Sequence, residues 1–128
     1  MHVTGIYAAL GALLLLVLAV RISLARRAAR VGIGDGGNHE LVKRIRAHAN
    51  AAEYLPIALL LLLLLDLGQT PPLWLHVFGV ALIVGRVLHA IGLSRTAGES
   101  FGRLVGIALT WGVLLAMAVL LLWKAAMY

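Results

Sequence analysis

Four long apolar segments, separated by short polar stretches, dominate the pattern of the chain. A helix needs about 20 mainly apolar residues to cross a hydrocarbon core of about 30 Å. The pattern therefore predicts four spans, at about residues 5–26, 40–66, 73–94 and 103–123. Because the connections are short, consecutive helices are expected to run antiparallel. The sequence thus predicts an all-α membrane protein in which residues 1–128 form a single four-helix transmembrane domain.

Composition agrees with a lipid environment. Hydrophobic residues make up 62% of the chain, whereas soluble domains contain about 45–50%. A soluble fold of 128 residues has too little interior to bury this much apolar surface. The chain has no cysteine, which excludes disulfides, thiolate metal sites and a cysteine nucleophile. No pair of histidine or acidic residues has convincing metal-ligand spacing, so no metal site is predicted.

The basic residues indicate an orientation. The net charge is +6, yet only 12% of residues are charged, which argues against a nucleic-acid partner. Lysine and arginine cluster beside the first and third connections, at Arg26, Arg27, Arg30, Lys43, Arg44, Arg95 and Arg103, and are missing from the second. Cytoplasmic loops carry an excess of these residues. We therefore expect the first and third connections in the cytoplasm and both termini outside, in the periplasm.

The second span contains a polar stripe. Its purely apolar run, residues 55–65, covers only ~16 Å, so the helix must extend back through residues 46–54 to cross the membrane. At ~100° per residue, four polar side chains fall within an arc of roughly 100°. They are separated by alanines, which allow another helix to approach closely. These side chains are Arg46, Asn50, Glu53 and Tyr54.

The third span carries Arg86 and His89, three residues apart and thus on one side of a helix. A charge near the bilayer centre costs about 2.5–3.5 kcal/mol on insertion scales, so such residues usually face the bundle and pair. Glu53 is a natural partner for Arg46 or Arg86. Arginines nevertheless outnumber this one carboxylate, and unpaired buried arginines are costly. Either the stripe is purely structural, or an anionic ligand completes it.

Two expectations concern the fourth span. Gly102, Gly106 and Gly112 are expected to permit close contact with another helix. Trp111 is interpreted as a packing or membrane-interface residue.

The chain resembles the MAPEG superfamily, the membrane-associated proteins of eicosanoid and glutathione metabolism, and its bacterial members in particular. Residues 46–56, Arg-Ala-His-Ala-Asn-Ala-Ala-Glu-Tyr-Leu-Pro, match the second-helix signature Arg-x-x-x-Asn-x-x-Glu-Tyr-x-Pro. Further matches are Ala-Arg-Arg-Ala-Ala-Arg-Val at 25–31, Gly-Arg-Val-Leu-His at 85–89 and Arg103. The likeness covers essentially the whole chain.

This resemblance implies a bacterial inner-membrane homotrimer that binds glutathione between subunits near the cytoplasmic face. The cofactor-binding residues are expected to be Arg26, Arg46, Asn50, Glu53, Tyr54, Arg86 and His89. Arg26 would reach in from the adjoining chain, and Glu53 would meet the α-amino group of glutathione. Arg103 aligns with the arginine that holds the sulfur as a thiolate, and an apolar co-substrate would arrive from the bilayer. A glutathione-dependent transferase or peroxidase is thus expected.

Two other functions stay open at this point. One is a membrane protein of the same fold that binds glutathione or another anion without turnover, or is purely structural. The other is a small transporter, although no internal repeat, typical of many transporters, is obvious.

Overall fold

The computed structural model describes residues 3–127. This part of the chain forms four α-helices: α1 is Thr4–Ala29, α2 is His39–Leu67, α3 is Pro72–Arg95 and α4 is Phe101–Ala126. They contain 24 to 29 residues each, and all four are long and apolar enough to cross a membrane. The predicted all-α, four-helix architecture is confirmed, and each helix extends beyond its predicted span by up to three residues at either end.

The helix ends have local causes. After α1, Arg30 adopts a left-handed conformation with φ of 55°, which ends the helix. Asn38 caps α2, its side chain accepting a hydrogen bond from the Leu41 N–H at 3.0 Å. Pro72 stands at the first position of α3, where a missing N–H costs nothing. Ser100 caps α4 in the same way as Asn38 caps α2.

The helices α2 and α3 form the centre of the bundle. Both α1 and α4 pack against this pair, and α1 does not contact α4 within residues 3–127. The Thr4 N–H donates to Asp66 Oδ2 at 2.8 Å, joining the start of α1 to the end of α2. Arg21, late in α1, donates to Ser94 Oγ, late in α3, at 3.1 Å. The consecutive helices α1, α2 and α3 thus alternate in direction.

Glycines bring α3 and α4 into backbone contact. A Cβ atom on Gly106 would lie 2.5 Å from both the Gly85 carbonyl oxygen and the His89 nitrogen. A Cβ on Gly92 would likewise collide with the Arg103 nitrogen. No side chain fits at these positions, so the two helix backbones lie against each other. Arg103 is held beside the His89 end of α3 as a result.

The expectation for the α4 glycines holds at two of three positions. Gly102 and Gly106 both face the α3 backbone, with a Cβ on Gly102 falling 3.1 Å from the Leu88 carbonyl oxygen. A Cβ on Gly112 would meet nothing within 4 Å, so the expectation was wrong for this residue within the subunit. Helical periodicity explains the difference, because Gly112 follows Gly106 by six residues, about 240° around the helix.

The bundle end remote from the arginine cluster has its own polar contact. Tyr7 is buried with its ring against Gly79, and its hydroxyl lies 2.7 Å from His76 Nδ1. Lys124 donates to the Gly68 carbonyl at 2.8 Å, joining α4 to the second connection. The first contact joins α1 to α3, and the second holds the short second connection against α4.

Candidate functional site

The polar stripe of α2 divides between two environments. Asn50 and Tyr54 face inward and line a cavity. Arg46 and Glu53 point to the outside of the subunit, with side chains 53% and 54% exposed and a nitrogen–oxygen distance of 3.7 Å. Glu53 therefore pairs with Arg46, which the sequence allowed, and not with Arg86. The stripe straddles the edge of the bundle, with one half inside it and one half on its surface.

The main cavity lies between α2, α3 and the first turns of α4. Its volume is about 830 Å³, within the range of about 300–1,000 Å³ common for small-molecule sites. Four of the predicted site residues line it, namely Asn50, Tyr54, His89 and Arg103. The rest of the wall is Glu99, Ser100, Phe101, Leu104, Ile107 and Trp111. One end of the cavity is therefore polar, and the side formed by α4 is mainly apolar.

A smaller cavity of about 210 Å³ adjoins the first. Asn50, His89 and Arg103 belong to both walls, and the smaller cavity adds Arg46 and Lys43. Five predicted site residues thus surround one continuous region at the basic end of the bundle. The helices α2, α3 and α4 each contribute at least one of them.

Arg86 is buried behind this region. Only 1% of it is exposed, and it lines neither cavity. Its Nε donates to Thr110 Oγ1 at 2.9 Å and its Nη1 to Asn50 Oδ1 at 2.5 Å. The guanidinium carbon lies 5.3 Å from the centre of the Tyr54 ring, a cation–π distance. Among the described residues its Nη2 has no hydrogen-bond partner.

Arg103 lies at the start of α4. Its Nη1 donates to the Ala97 carbonyl at 2.9 Å and to the Gly98 carbonyl at 3.2 Å, both in the third connection. Its backbone N–H donates to Ser100 Oγ, which caps the helix. The two side-chain bonds use one guanidinium nitrogen, and Nε and Nη2 donate to no other group within residues 3–127. The close contact between Gly92 and the Arg103 backbone fixes the position of Arg103 along α3.

Besides Arg86, two more predicted site residues line neither cavity. Arg26 donates to the Gly34 carbonyl at 2.6 Å, within the first connection of its own chain. Glu53 faces outward beside Arg46. The contact of Arg26 with a ligand of an adjoining chain, and of Glu53 with an amino group, stay predictions.

Sequence reasoning missed two residues of the fourth span. Trp111 lines the cavity, and its Nε1 donates to the Tyr54 hydroxyl at 3.0 Å, so the packing interpretation was incomplete. Thr110 accepts the Arg86 Nε–H and is itself fully buried. The one available signal was that Thr110 is the only hydroxyl-bearing residue within 103–123.

Comparison with known proteins gives the family. The model of the MAPEG family matches residues 4–123. The chain belongs to the MAPEG family. Within this family it is similar to the inner membrane protein YecN of Escherichia coli K12, with 37% identity over 121 residues, covering 94% of this chain and 91% of the relative. The same protein of E. coli O6:H1 matches equally. With its four spanning helices, this MAPEG protein is an integral inner-membrane protein.

Proposed function

We propose that this MAPEG protein is a glutathione-dependent transferase or peroxidase that acts on apolar electrophiles. The observation that supports this most is that five predicted site residues surround the two adjoining cavities. These residues are Arg46, Asn50, Tyr54, His89 and Arg103. It combines cationic and hydrogen-bonding groups at one end with an apolar wall along α4. A ligand with anionic groups and an apolar co-substrate match these two parts.

Lys43, Arg46 and Arg103 line the two cavities against one carboxylate, Glu99, and this cationic excess favours an anionic ligand. The Arg46 guanidinium lies 3.7 Å from its carboxylate partner, and Arg86 donates to the neutral side chains of Thr110 and Asn50. Arg103 bonds to two backbone carbonyls. Glutathione carries two carboxylates, and guanidinium groups bind carboxylates well. Binding would thus offset a cationic excess that is costly at this depth in the membrane.

Arg103 is the proposed catalytic residue. A nearby cation favours the thiolate form of a thiol, which is the nucleophile. Glutathione would supply this sulfur, which forms a bond to an electrophilic carbon while the leaving group departs with its electron pair. With a hydroperoxide, the sulfur would take the terminal oxygen and the alcohol would leave after protonation. A second glutathione would then reduce the sulfenic acid to disulfide and water. The chain needs no cysteine for either reaction.

The apolar co-substrate is proposed to enter from the bilayer along α4. Phe101 and Leu104, on the wall of the cavity, are 83% and 68% exposed. Trp111 lies two turns further along the same helix and is also exposed. An apolar molecule dissolved in the membrane would reach the cavity over this surface without crossing water.

A homotrimer would complete the site. Arg46 and Glu53 lie on the outer surface of a membrane-spanning helix, where contact with lipid would be unfavourable. A neighbouring subunit would cover them, and its Arg26 would add a further cation. Both termini are proposed to lie in the periplasm, with the arginine-rich end of the bundle in the cytoplasm.

The proposal is tested in detergent with purified protein. Conjugation of glutathione to a halogenated aromatic and reduction of a lipid hydroperoxide are measured. Arg103→Ala should abolish either activity but weaken glutathione binding only in part, because the other residues of the region remain. Arg95→Ala removes an exposed arginine from the same end of the bundle and serves as the matched control.

The main alternative is a protein that binds glutathione or another anion without turnover. The two bonds from Arg103 to the third connection favour it, because they give this side chain a structural role. In that case glutathione binds, neither reaction proceeds, and the ultraviolet absorbance of a thiolate does not appear at neutral pH.

A further inference from the structure

The hydrogen bonds of Arg86 fix the orientation of the Asn50 amide. A guanidinium group has donors only, so the Asn50 atom that faces it must be the oxygen. The Asn50 Nδ2 group, with its two N–H donors, is then the polar group left for the cavities that Asn50 lines. Without Arg86, the amide could turn over and offer its oxygen instead.

Thr110 fixes Arg86 in turn. Its hydroxyl hydrogen is given to the Gly106 carbonyl at 2.9 Å, so the same oxygen is available only as an acceptor for Arg86 Nε. Thr110 and Arg86 are both at most 1% exposed, so these bonds are shielded from bulk solvent. The bonds therefore run outward from Arg86, on one side to Thr110 and on to Gly106, and on the other side to Asn50.

Trp111 fixes the direction in which the Tyr54 hydroxyl donates its hydrogen. The indole Nε1–H donates to the Tyr54 oxygen at 3.0 Å, and an indole nitrogen cannot accept. The phenol hydrogen is therefore free to point to another acceptor, and Tyr54 lines the main cavity. The cation of Arg86 beside the Tyr54 ring increases the donor strength of this hydroxyl.

We propose that Thr110, Arg86 and Trp111 are positioning residues that fix Asn50 and Tyr54 as hydrogen-bond donors, so that this wall of the cavity binds only acceptor groups. The inference rests on the proposed function for the identity of the ligand. Together with Arg103, the wall then presents three donor groups. The carbonyls, carboxylates or thiolate of glutathione face it, and the ammonium group does not.

The amide orientation is tested first without any ligand. In Asn50→Asp, a carboxylate of the same shape faces Arg86, so the thermal unfolding midpoint in detergent should equal or exceed that of the wild type. In Asn50→Leu, Arg86 loses its acceptor and the midpoint should fall. If Asn50→Asp loses as much as Asn50→Leu, the amide oxygen does not face Arg86 and the inference is overturned.

The donor role is tested by titration with glutathione. Asn50→Asp removes the two N–H donors and adds negative charge, so affinity should fall by about tenfold or more while the fold is retained. Thr110→Val should weaken binding several-fold although Thr110 lines no cavity wall described above, and Thr110→Ser should restore it. Unchanged affinity in Asn50→Asp and Thr110→Val would refute the donor role.

The Trp111 role is tested by a double-mutant cycle. Trp111→Phe and Tyr54→Phe should each reduce glutathione affinity, and the double variant should lose no more than Tyr54→Phe alone, because Trp111 acts through the phenol. Fully additive losses would show independent packing and would overturn this part. If the wild type binds no glutathione, the proposed function fails, whereas the midpoints of the two Asn50 variants still decide the orientation.

Discussion

The contact between α3 and α4 yields the sharpest prediction. Gly106→Ala adds a single methyl group that would lie 2.5 Å from the Gly85 carbonyl oxygen and the His89 nitrogen. Ordinary van der Waals contact begins at about 3.4 Å, and both obstructing atoms belong to the backbone of a helix. Neither can rotate away, so α4 has to move from α3 by about 1 Å.

The magnitude follows from two opposing terms. Overpacking a tight interior position costs typically about 1–3 kcal/mol. Alanine is a better helix former than glycine by about 1 kcal/mol in soluble helices, which offsets part of this cost. Because both obstructing atoms belong to a helix backbone, the cost is expected in the upper half of that range, about 2–3 kcal/mol, which leaves a net loss of about 1–2 kcal/mol. Because Arg103 precedes Gly106 by less than one turn, any activity that needs Arg103 and His89 together should fall as well.

Thermal unfolding in detergent micelles measures the loss, with Gly112→Ala as the matched control. That substitution lies in the same helix and meets nothing within 4 Å, so only the helix-propensity term remains and stability should be unchanged or slightly higher. A loss of about 1–2 kcal/mol corresponds to a midpoint several degrees lower for Gly106→Ala. If both variants unfold at the wild-type temperature, the backbone contact does not limit the approach of the two helices.

Three further predictions are simpler. Tyr7→Phe removes the bond to His76 and should reduce the free energy of unfolding by about 0.5–1.5 kcal/mol, and an unchanged denaturation midpoint would show that this bond is energetically neutral. Single cysteines in this cysteine-free chain report the orientation: in intact cells a membrane-impermeant maleimide should label a cysteine at Gln69 and leave one at the exposed Ile33 unlabelled, and the reverse would invert the topology. Ser100→Ala removes the α4 cap and should cost about 1 kcal/mol, read from chemical denaturation, whereas Ser100→Thr should retain most of it.

The number and rough bounds of the helices could be predicted from the sequence because apolar length is a direct consequence of bilayer thickness. The composition of the α2 stripe could also be read from helical periodicity. Periodicity gives the angle between side chains but not where the neighbouring helix lies. The division of the stripe, with Asn50 inside and Glu53 outside, was therefore beyond the sequence.

The contributions of α4 were harder to foresee. In a helix that is apolar on every side, no polar face marks the direction of the bundle. Thr110 and Trp111 are neighbours in sequence, yet one is fully buried and the other is exposed along the cavity wall. Which glycines contact α3 depended on the same unknown rotation, so the sequence could not separate Gly112, which contacts no helix within the subunit, from Gly102 and Gly106.

The glycine contact between α3 and α4 has a consequence for the apolar wall of the main cavity. Backbone atoms set the spacing of α3 and α4, so the side chains elsewhere on α4 do not determine this spacing. Phe101, Leu104 and Ile107 can thus be exchanged for larger or smaller apolar residues without moving the arginine beside them. A library randomised at these three sites should yield folded variants that differ in which hydrophobic molecules they accept.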